Sequence, residues 1–441
     1  MKRVMVDMSA TLIHHGHIRL LKKAKEYGYV IVGLTKDEDI LNCKGYIPEL
    51  SFQERSEILK SIKYVDEVVE TNWLITEKTL EKYKINTLIH GSDNLFKSDK
   101  FEVIDFPRTE GISSSKIRLR AFQSLISKRN KEKLMLTPGP SSICESSIKN
   151  IEPVFGRGDK NFQFINNSVT EWLKNLSGQD EIISLIGSAT LAIEIAILNF
   201  LKGKILILNT GFYSRRIYKI ISKYHNAELI DLSQISNINK NYDWIAACFT
   251  ETSKGYKFNI NLLKELKSKT KANLFLDATG SIGLEDGHEL ADLVAFSSCK
   301  GLMGLTGGAF IGKKNYIKKN KSNELPFYLD YKTHFERLVT GPYHIVHGLF
   351  HIKDIHNSLR NNIKEFQIEF LNRYRDYLVW DVENQPKLCT LIKANLEINS
   401  FKNVVLYKSR EMQEFHNIIC HLHAIEKKNI RQFEKFIKIT E

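Results

Sequence analysis

The sequence predicts an α/β protein made of two successive parallel-sheet domains, and three observations carry that expectation. Short apolar runs alternate with amphipathic helical patterns along nearly the whole chain, an order that places parallel strands centrally with helices on both faces. The chain has 441 residues, more than one hydrophobic core ordinarily serves. Finally, "ISKRNKEK" (126–133) is polar and charged without apolar period, and it reads as a linker between a domain over 1–125 and a second over 134–441.

In the first domain "KRVMVDMS", "YVIVGLT", "VDEVVET" and "INTLIHG" read as strands, whereas "IRLLKKAKEYG", "SFQERSEILKSI" and "TEKTLEKY" carry helical spacing. Beyond the linker "LMLTPGPSS" opens a second series. There "EIISLIG", "KILILNTG", "WIAACFTET", "ANLFLDATG" and "LVAFSSCKG" alternate with helical patterns such as "ATLAIEIAILNFL" and "NINLLKELKSK". No internal repeat relates the two series, so they read as two different units rather than a duplication.

Apolar residues are 42% and charged residues 26% of the chain, the balance of a globular protein. Asp7 interrupts the N-terminal apolar run before it reaches signal-peptide length. Glu194 and Lys300 break the most apolar stretches, which fall short of about 20 clean residues; no membrane insertion is expected. The six cysteines are scattered without a CxxC pair, which predicts neither a disulfide framework nor a zinc knuckle and fits a reducing cytoplasm. The net charge of +13 comes from lysines spread along the chain and interleaved with glutamates. That pattern reads as a solvated surface or as attraction for small anionic substrates, not as a nucleic-acid footprint.

The stretch "LIHHGHIRLL" puts His14, His15 and His17 at the start of a helical pattern. Adjacent residues of a helix point in different directions, so this spacing argues against a metal site. A strand-to-helix turn with Gly16 at its centre instead lets backbone approach a phosphate at a helix N-terminus, with His14 and His17 as donors and His15 facing elsewhere.

Here the chain resembles the HxGH nucleotidyltransferase superfamily, in its cytidylyltransferase branch. "HHGH" (14–17), "TKDEDILNCKG", "QERSEIL" and above all "RTEGISSSKIR" (108–118) carry the resemblance over roughly residues 3–120. It implies a Rossmann-like domain that attacks the α-phosphorus of CTP with a substrate phosphate or phosphonate oxygen, expelling pyrophosphate. His14, His17, Lys44 and Arg108 are then the catalytic set. Gly16, Gly91, Asp93, Thr109, Gly111, Ile112 and Ser113 surround the nucleotide, and a Mg²⁺ ion is held mainly by the phosphates. The superfamily pattern has Asp three residues before the first histidine. This chain has Thr11 there, with Asp7 and Asp93 as candidate replacements.

In the second domain Lys300 follows an apolar run, where a lysine is costly unless neutral or chemically engaged. A snorkelling or paired lysine is one reading, and a Schiff-base former is the other. Asp277 closes a strand upstream, suited to a pyridinium nitrogen, and Ser188, Ala189 and Thr190 open a helix, suited to a phosphate.

"MLTPGPSS", "GSAT", "NTGFYSRR", "TETSKG", "LDATGS" and "SSCKGLMG" make residues 134–425 resemble fold-type I, class V aminotransferases dependent on pyridoxal 5'-phosphate, nearest to 2-aminoethylphosphonate:pyruvate aminotransferase. The resemblance implies Lys300 as the Schiff-base lysine and proton carrier, Asp277 at the pyridine nitrogen and Tyr213 on the ring face. It also implies Ser188, Ala189, Thr190 and Ser298 at the phosphate, Thr252 near the phenolic oxygen, and Thr340 reaching the neighbouring subunit of a homodimer. Where such enzymes carry a substrate arginine, His416 stands here, which leaves Arg410 or Arg157 for that role. Together the two resemblances imply an enzyme that aminates phosphonoacetaldehyde with a donor such as alanine and activates the 2-aminoethylphosphonate with CTP. The alternatives are an amino-alcohol phosphate, such as phosphoethanolamine or serinol phosphate, and a second domain retained only for dimerisation.

Overall fold

The computed structural model describes all residues except 1, 92–95, 132, 141, 150–155, 157, 239–240, 321–323, 400–403, 408–410, 412–415 and 441. Asp93, Arg157 and Arg410 therefore lie outside the described residues. The chain divides into two compact units, 1–128 and 129–441.

The first unit runs β1 (Arg3–Met8), α1 (His15–Lys25), β2 (Tyr29–Thr35), α2 (Asp37–Lys44), α3 (Phe52–Lys60), β3 (Glu67–Thr71), α4 (Glu77–Lys82), β4 (Thr87–Gly91), β5 (Glu102–Phe106) and α5 (Ser114–Lys131). Among the described residues the strands form one sheet in the order β3-β2-β1-β4-β5, all parallel. Sheet order reverses direction beside β1, the position where open parallel sheets bind ligands at their C-terminal edge. Val4, Val6, Val30, Val32, Leu21 and Ile89 pack one face, while Met5, Ile31, Leu80 and Leu88 pack the other. That two-sided burial is why the strands are continuously apolar.

Helix α5 runs through the first part of the charged stretch read as a linker. Lysine and arginine are good helix formers even where no apolar stripe marks the helix.

The second unit contains β6 (Leu134–Leu136), α6 (Ser146–Lys149), α7 (Lys160–Ser177), β7 (Glu181–Ile186), α8 (Ala189–Phe200), β8 (Lys204–Asn209), α9 (Phe212–Ile221), β9 (Asn226–Asp231), β10 (Trp244–Cys248), β11 (Thr250–Glu251), β12 (Tyr256–Lys257), α10 (Ile260–Thr270), β13 (Asn273–Asp277), β14 (Leu293–Ser297) and β15 (Gly308–Lys313). Its main sheet has the order β7-β15-β14-β13-β10-β8-β9. All pairs are parallel except those of β15, which is antiparallel to β14 and β7. Helix α8, buried along Ala192, Ile193, Ile195, Ala196 and Ile197, packs one face. Helix α7 buries Phe162, Ile165, Val169 and Leu173 in the larger core on the other.

A smaller layer is built from Cys389–Lys393 paired with His416–Cys420 and from Asn395–Ile398 paired with Ile437–Thr440. No helix among the described residues is long and apolar enough to cross a membrane.

Candidate functional site

The first site forms where β1 hands over to α1. His14 occupies the extended N-cap position, with φ −144° and ψ 171°. Its Nδ1 accepts the N–H of Gly16 at 3.2 Å, while Nδ1 of His17 accepts the N–H of His14 at 3.2 Å. Two helix-start amides without intrahelical partners are thus satisfied reciprocally. An accepting Nδ1 carries no proton, so each neutral ring is the Nε2–H tautomer and keeps one N–H to donate. The two rings lie 4.0 Å apart, centroid to centroid.

Burial pushes His17 down to about 4, and the charges of His14 and Lys44 add to the effect. Burial also lowers His14, with His15 second. His15 itself is exposed. A small residue suits position 16, because a Cβ there would come to 3.0 Å from the His14 imidazole and 3.4 Å from Ile112 Cγ2.

That last contact joins two motifs far apart in sequence. The Ser114 hydroxyl donates to the carbonyl of Leu12 at 3.1 Å, and Ser113 Oγ accepts the N–H of Lys116 at 3.2 Å, so the loop before α5 closes over the start of α1. Gly111 supplies the left-handed turn of that loop, with φ 78°. Arg108 and Thr109 lie in the segment after β5, and Gly91 ends β4. Lys44, at the end of α2, reaches Ser9 Oγ at 3.2 Å and lies over the Trp73 ring at 5.1 Å. Asp7 is engaged by His90 Nδ1 across the neighbouring strands.

Arg55 sits in the "QERSEIL" segment with no role assigned to it there, and among the described residues it is the largest fully buried side chain. It donates to the carbonyls of Ser9, Leu50 (3.1 Å) and Thr35 (3.0 Å) and to Asp37 Oδ1 at 2.5 Å. It therefore ties the C-terminal ends of β1 and β2 to the segments that carry His14 and Lys44. Among the described residues no group of three or more His, Cys, Asp or Glu side chains could hold a metal ion.

The second site is a cavity of about 340 Å³ at the strand ends of the main sheet of the second unit. Ser188, Ala189 and Thr190 line one end, where α8 begins with Ser188 as N-cap. Lys300 enters after β14, and its Nζ donates to Thr252 Oγ1 at 3.3 Å and lies 5.5 Å from the centre of the Tyr213 ring. Asp277, 2% exposed, ends β13 and accepts the N–H of Thr279 at 3.0 Å. Gly139, of the segment after β6, has φ +157°, and a Cβ there would fall 2.7 Å from Lys300 Cε.

Of the residues assigned to this site by sequence, Ser188, Ala189, Thr190, Tyr213, Thr252, Asp277 and Lys300 line one cavity. Ser298 does not line it: its hydroxyl donates to the carbonyls of Leu305 and Gly308, and Ser297 faces the cavity instead. Thr340 lines a separate cavity of about 180 Å³ with Phe162 and Tyr343. His416 sits opposite Lys393 on the smaller sheet and is not among the lining residues.

Two side chains escaped the sequence reading. Arg216 donates to Thr190 Oγ1 at 3.0 Å, approaches Asp277 Oδ2 at 3.5 Å and lies 4.8 Å from the centre of the Tyr213 ring. Its Nε is buried without a partner among the described residues. Glu251, fully buried, accepts the N–H groups of Tyr213 and Ser214 and the hydroxyl of Ser253. A carboxylate at the first turn of α9 meets the positive end of the helix dipole and fixes the helix that carries Tyr213 and Arg216.

A cytidylyltransferase-like family model matches residues 10–120. Glycerol-3-phosphate cytidylyltransferase of Staphylococcus aureus is 41% identical over 126 residues, which is 27% of this chain and 93% of that protein. Ethanolamine-phosphate cytidylyltransferase of Arabidopsis thaliana is 33% identical over 131 residues, 26% of this chain and 31% of that protein. For the rest of the chain, alanine–glyoxylate aminotransferase from Nostoc sp. superposes with a TM-score of 0.59 at 18% identity, covering 68% of this chain and 93% of that one. The protein thus belongs to the cytidylyltransferase-like family through residues 10–120, and behind that domain it carries a second one of the aminotransferase fold.

Proposed function

We propose that the chain is a bifunctional enzyme that makes a small phosphonate or phosphate amine by transamination and then activates it with CTP. In the first unit an oxygen of the acceptor's phosphoryl or phosphonyl group attacks the α-phosphorus of CTP. The new P–O bond forms as the bond to pyrophosphate breaks. Such transfer is mainly positioning and neutralisation of charge. The Nε2–H groups of His14 and His17 donate to phosphate oxygens at the α1 N-terminus, Lys44 and Arg108 add positive charge, and the Gly111–Ser113 loop closes the nucleotide in. The convergence of His14, His17, Lys44 and the loop before α5 at the end of β1 is the observation that supports this reading. A Mg²⁺ ion bound with the nucleotide would neutralise charge on its phosphates.

The cavity of the second unit fits pyridoxal 5'-phosphate by its donor set. A lysine amine faces a buried carboxylate across a space floored by an aromatic ring, with a helix N-terminus at one end. Thr250 and Thr279, both lining the cavity, have hydroxyls without partners among the described residues. Lys300 would join the cofactor's carbonyl carbon, Asp277 would hold the ring nitrogen protonated, Tyr213 would cover a ring face, and Ser188 to Thr190 would take the phosphate. When bound, the cofactor supplies an electron sink for amino transfer. Lys300, once displaced by the incoming amine, would carry the proton between the amine-bearing carbon of the substrate and the cofactor's carbonyl carbon. In this reading the domain pairs as a homodimer in which Thr340 serves the other subunit's site, and the enzyme works in the cytoplasm.

The amine we favour is 2-aminoethylphosphonate, made from phosphonoacetaldehyde with alanine as donor. A phosphoethanolamine acceptor is the second reading, supported by the ethanolamine-phosphate cytidylyltransferases among the relatives. Incubation with CTP, Mg²⁺ and each acceptor, followed by phosphorus NMR, separates them. A new phosphonate-to-phosphate anhydride resonance supports the first. Its absence with 2-aminoethylphosphonate, beside a product from phosphoethanolamine, selects the second.

A further inference from the structure

Close to the phosphate-binding histidines lies a group that the reaction above does not use. Arg118, one turn into α5, stacks over the Tyr46 ring at 4.4 Å and donates to Thr11 Oγ1 at 3.0 Å. It also forms a two-pronged ion pair with Glu49, through Nε to Oε1 and through Nη2 to Oε2 at 2.5 Å. The hydrogen bonds from Arg118 hold the Glu49 carboxyl below the usual carboxylate range. Thr11 precedes His14 by one turn of chain, Tyr46 follows Lys44 across Gly45, and α5 begins at the loop that closes over α1. The same three segments therefore build both the phosphate site and this group.

The pair is open to solvent, with side-chain exposures of 25% for Arg118 and 40% for Glu49. An exposed ion pair contributes little net stability, so a ligand that offers better partners displaces it at small cost. The Arg118 guanidinium is a fork for phosphoryl oxygens, held from below by the buried Thr11 hydroxyl. The Glu49 carboxylate and the Tyr46 ring face suit an ammonium. The selectivity follows from charge balance. A phosphoryl anion that draws Arg118 away leaves Glu49 without its cation, and only a ligand carrying its own positive charge restores the balance.

We propose that Thr11, Tyr46, Glu49 and Arg118 form the acceptor subsite of the nucleotidyl-transfer domain, selecting a zwitterion with a phosphoryl or phosphonyl anion at one end and an ammonium at the other. This inference rests on the cytidylyl-transfer reading of the first unit.

The test uses the full chain with CTP and Mg²⁺, and compares kcat/KM for phosphoethanolamine, 2-aminoethylphosphonate and glycerol 3-phosphate. In Glu49→Gln the preference for the preferred amine over glycerol 3-phosphate falls by about tenfold or more, through KM for the amine, as loss of a charge-assisted contact requires. Arg118→Gln raises KM for all three acceptors, and KM for CTP moves less than that for acceptor in both variants. If Glu49→Gln lowers all acceptors equally, or acts through KM for CTP, the group is a structural clamp on α5 and the subsite is wrong. Circular dichroism and unfolding midpoints identify a variant that fails to fold, in which case Tyr46→Leu supplies the same comparison: an undiminished amine preference overturns the proposal. No transfer to any acceptor by the wild type would overturn the cytidylyl-transfer reading itself, and this inference with it.

Discussion

His14 and His17 each use Nδ1 to accept a backbone N–H at the start of α1, and their rings pack with centroids 4.0 Å apart. The helix cap and the donor pair are one structure. A side chain that fills either position without an acceptor at the Nδ1 position damages the cap, and one without a donor at Nε2 damages the proposed phosphate site. Asn supplies the first function but reaches less far. His17→Asn is therefore expected to fold and to lose about 100-fold or more in cytidylyl transfer, the scale of one lost oxyanion donor. Steady-state kinetics beside an unfolding curve check this; a variant with normal turnover would mean that His17 is a cap alone.

The two proposed chemistries are expected to separate by mutation. Lys300→Ala is expected to abolish the Schiff-base absorbance of bound pyridoxal phosphate and leave cytidylyl transfer in place, while His14→Ala does the reverse. Absorbance spectra and pyrophosphate release, read on the same preparations, show the pattern. Loss of both signals in either variant contradicts the assignment.

Glu251 accepts the first N–H groups of α9 and the hydroxyl of Ser253, and so ties the helix that carries Tyr213 and Arg216 to the strand end. Glu251→Gln keeps the shape and removes the charge facing the helix dipole, so affinity for pyridoxal phosphate is expected to fall by about tenfold as Tyr213 and Arg216 lose their fixed positions. Fluorescence titration of the cofactor-free protein measures it.

Arg55 is enclosed by three carbonyls and Asp37, and removing it leaves the carbonyls without its donors and Asp37 with only the Phe52 N–H. Arg55→Met is expected to destabilise the first unit by about 3 kcal/mol. Arg55→Lys does not rescue it fully, because an ammonium does not reproduce the planar fork. Denaturant unfolding gives the value.

Buried neutral histidines set the acid limit of the fold. Burial holds His288 and His423 at about 4 and His421 at about 3. In the unfolded chain they bind protons near the ordinary value of about 6.5. The unfolded state thus binds more protons below that value, so stability is full above about pH 6.5 and falls as the pH drops toward about 4. Unfolding midpoints at pH 7.5 and at pH 5 are expected to show a clear loss at the lower pH, and His423→Phe, which stacks on Phe433 in the same place, is expected to reduce it.

Much of this was legible in the sequence, because period and position carry physical meaning. Lys300, Asp277 and Ser188 to Thr190 stand at the ends of strongly patterned elements, and such ends meet at one edge of a parallel sheet. What escaped is what depends on phase by a single residue. In "YSRRI" nothing distinguishes two adjacent arginines, yet α9 turns Arg215 to Glu411 and Arg216 into the cavity. In "FSSCK" the strand's alternation presents Ser297 to the cavity and buries Ser298 against Leu305 and Gly308. Arg55 stood in the quoted "QERSEIL" segment, but its role did not show there, because three of its partners are carbonyls, which sequence patterns do not mark. The charged stretch 126–133 lacked an apolar stripe and read as a linker, although α5 extends to Lys131.

The most direct test of the account is a single reaction containing the full chain, pyridoxal phosphate, alanine, phosphonoacetaldehyde, CTP and Mg²⁺, followed by phosphorus NMR. The account predicts that 2-aminoethylphosphonate appears and is converted to its CMP conjugate with release of pyrophosphate, and that Lys300→Ala stops both unless the amine is supplied. Accumulation of 2-aminoethylphosphonate with CTP left intact, or no amine at all from the wild type, would contradict it.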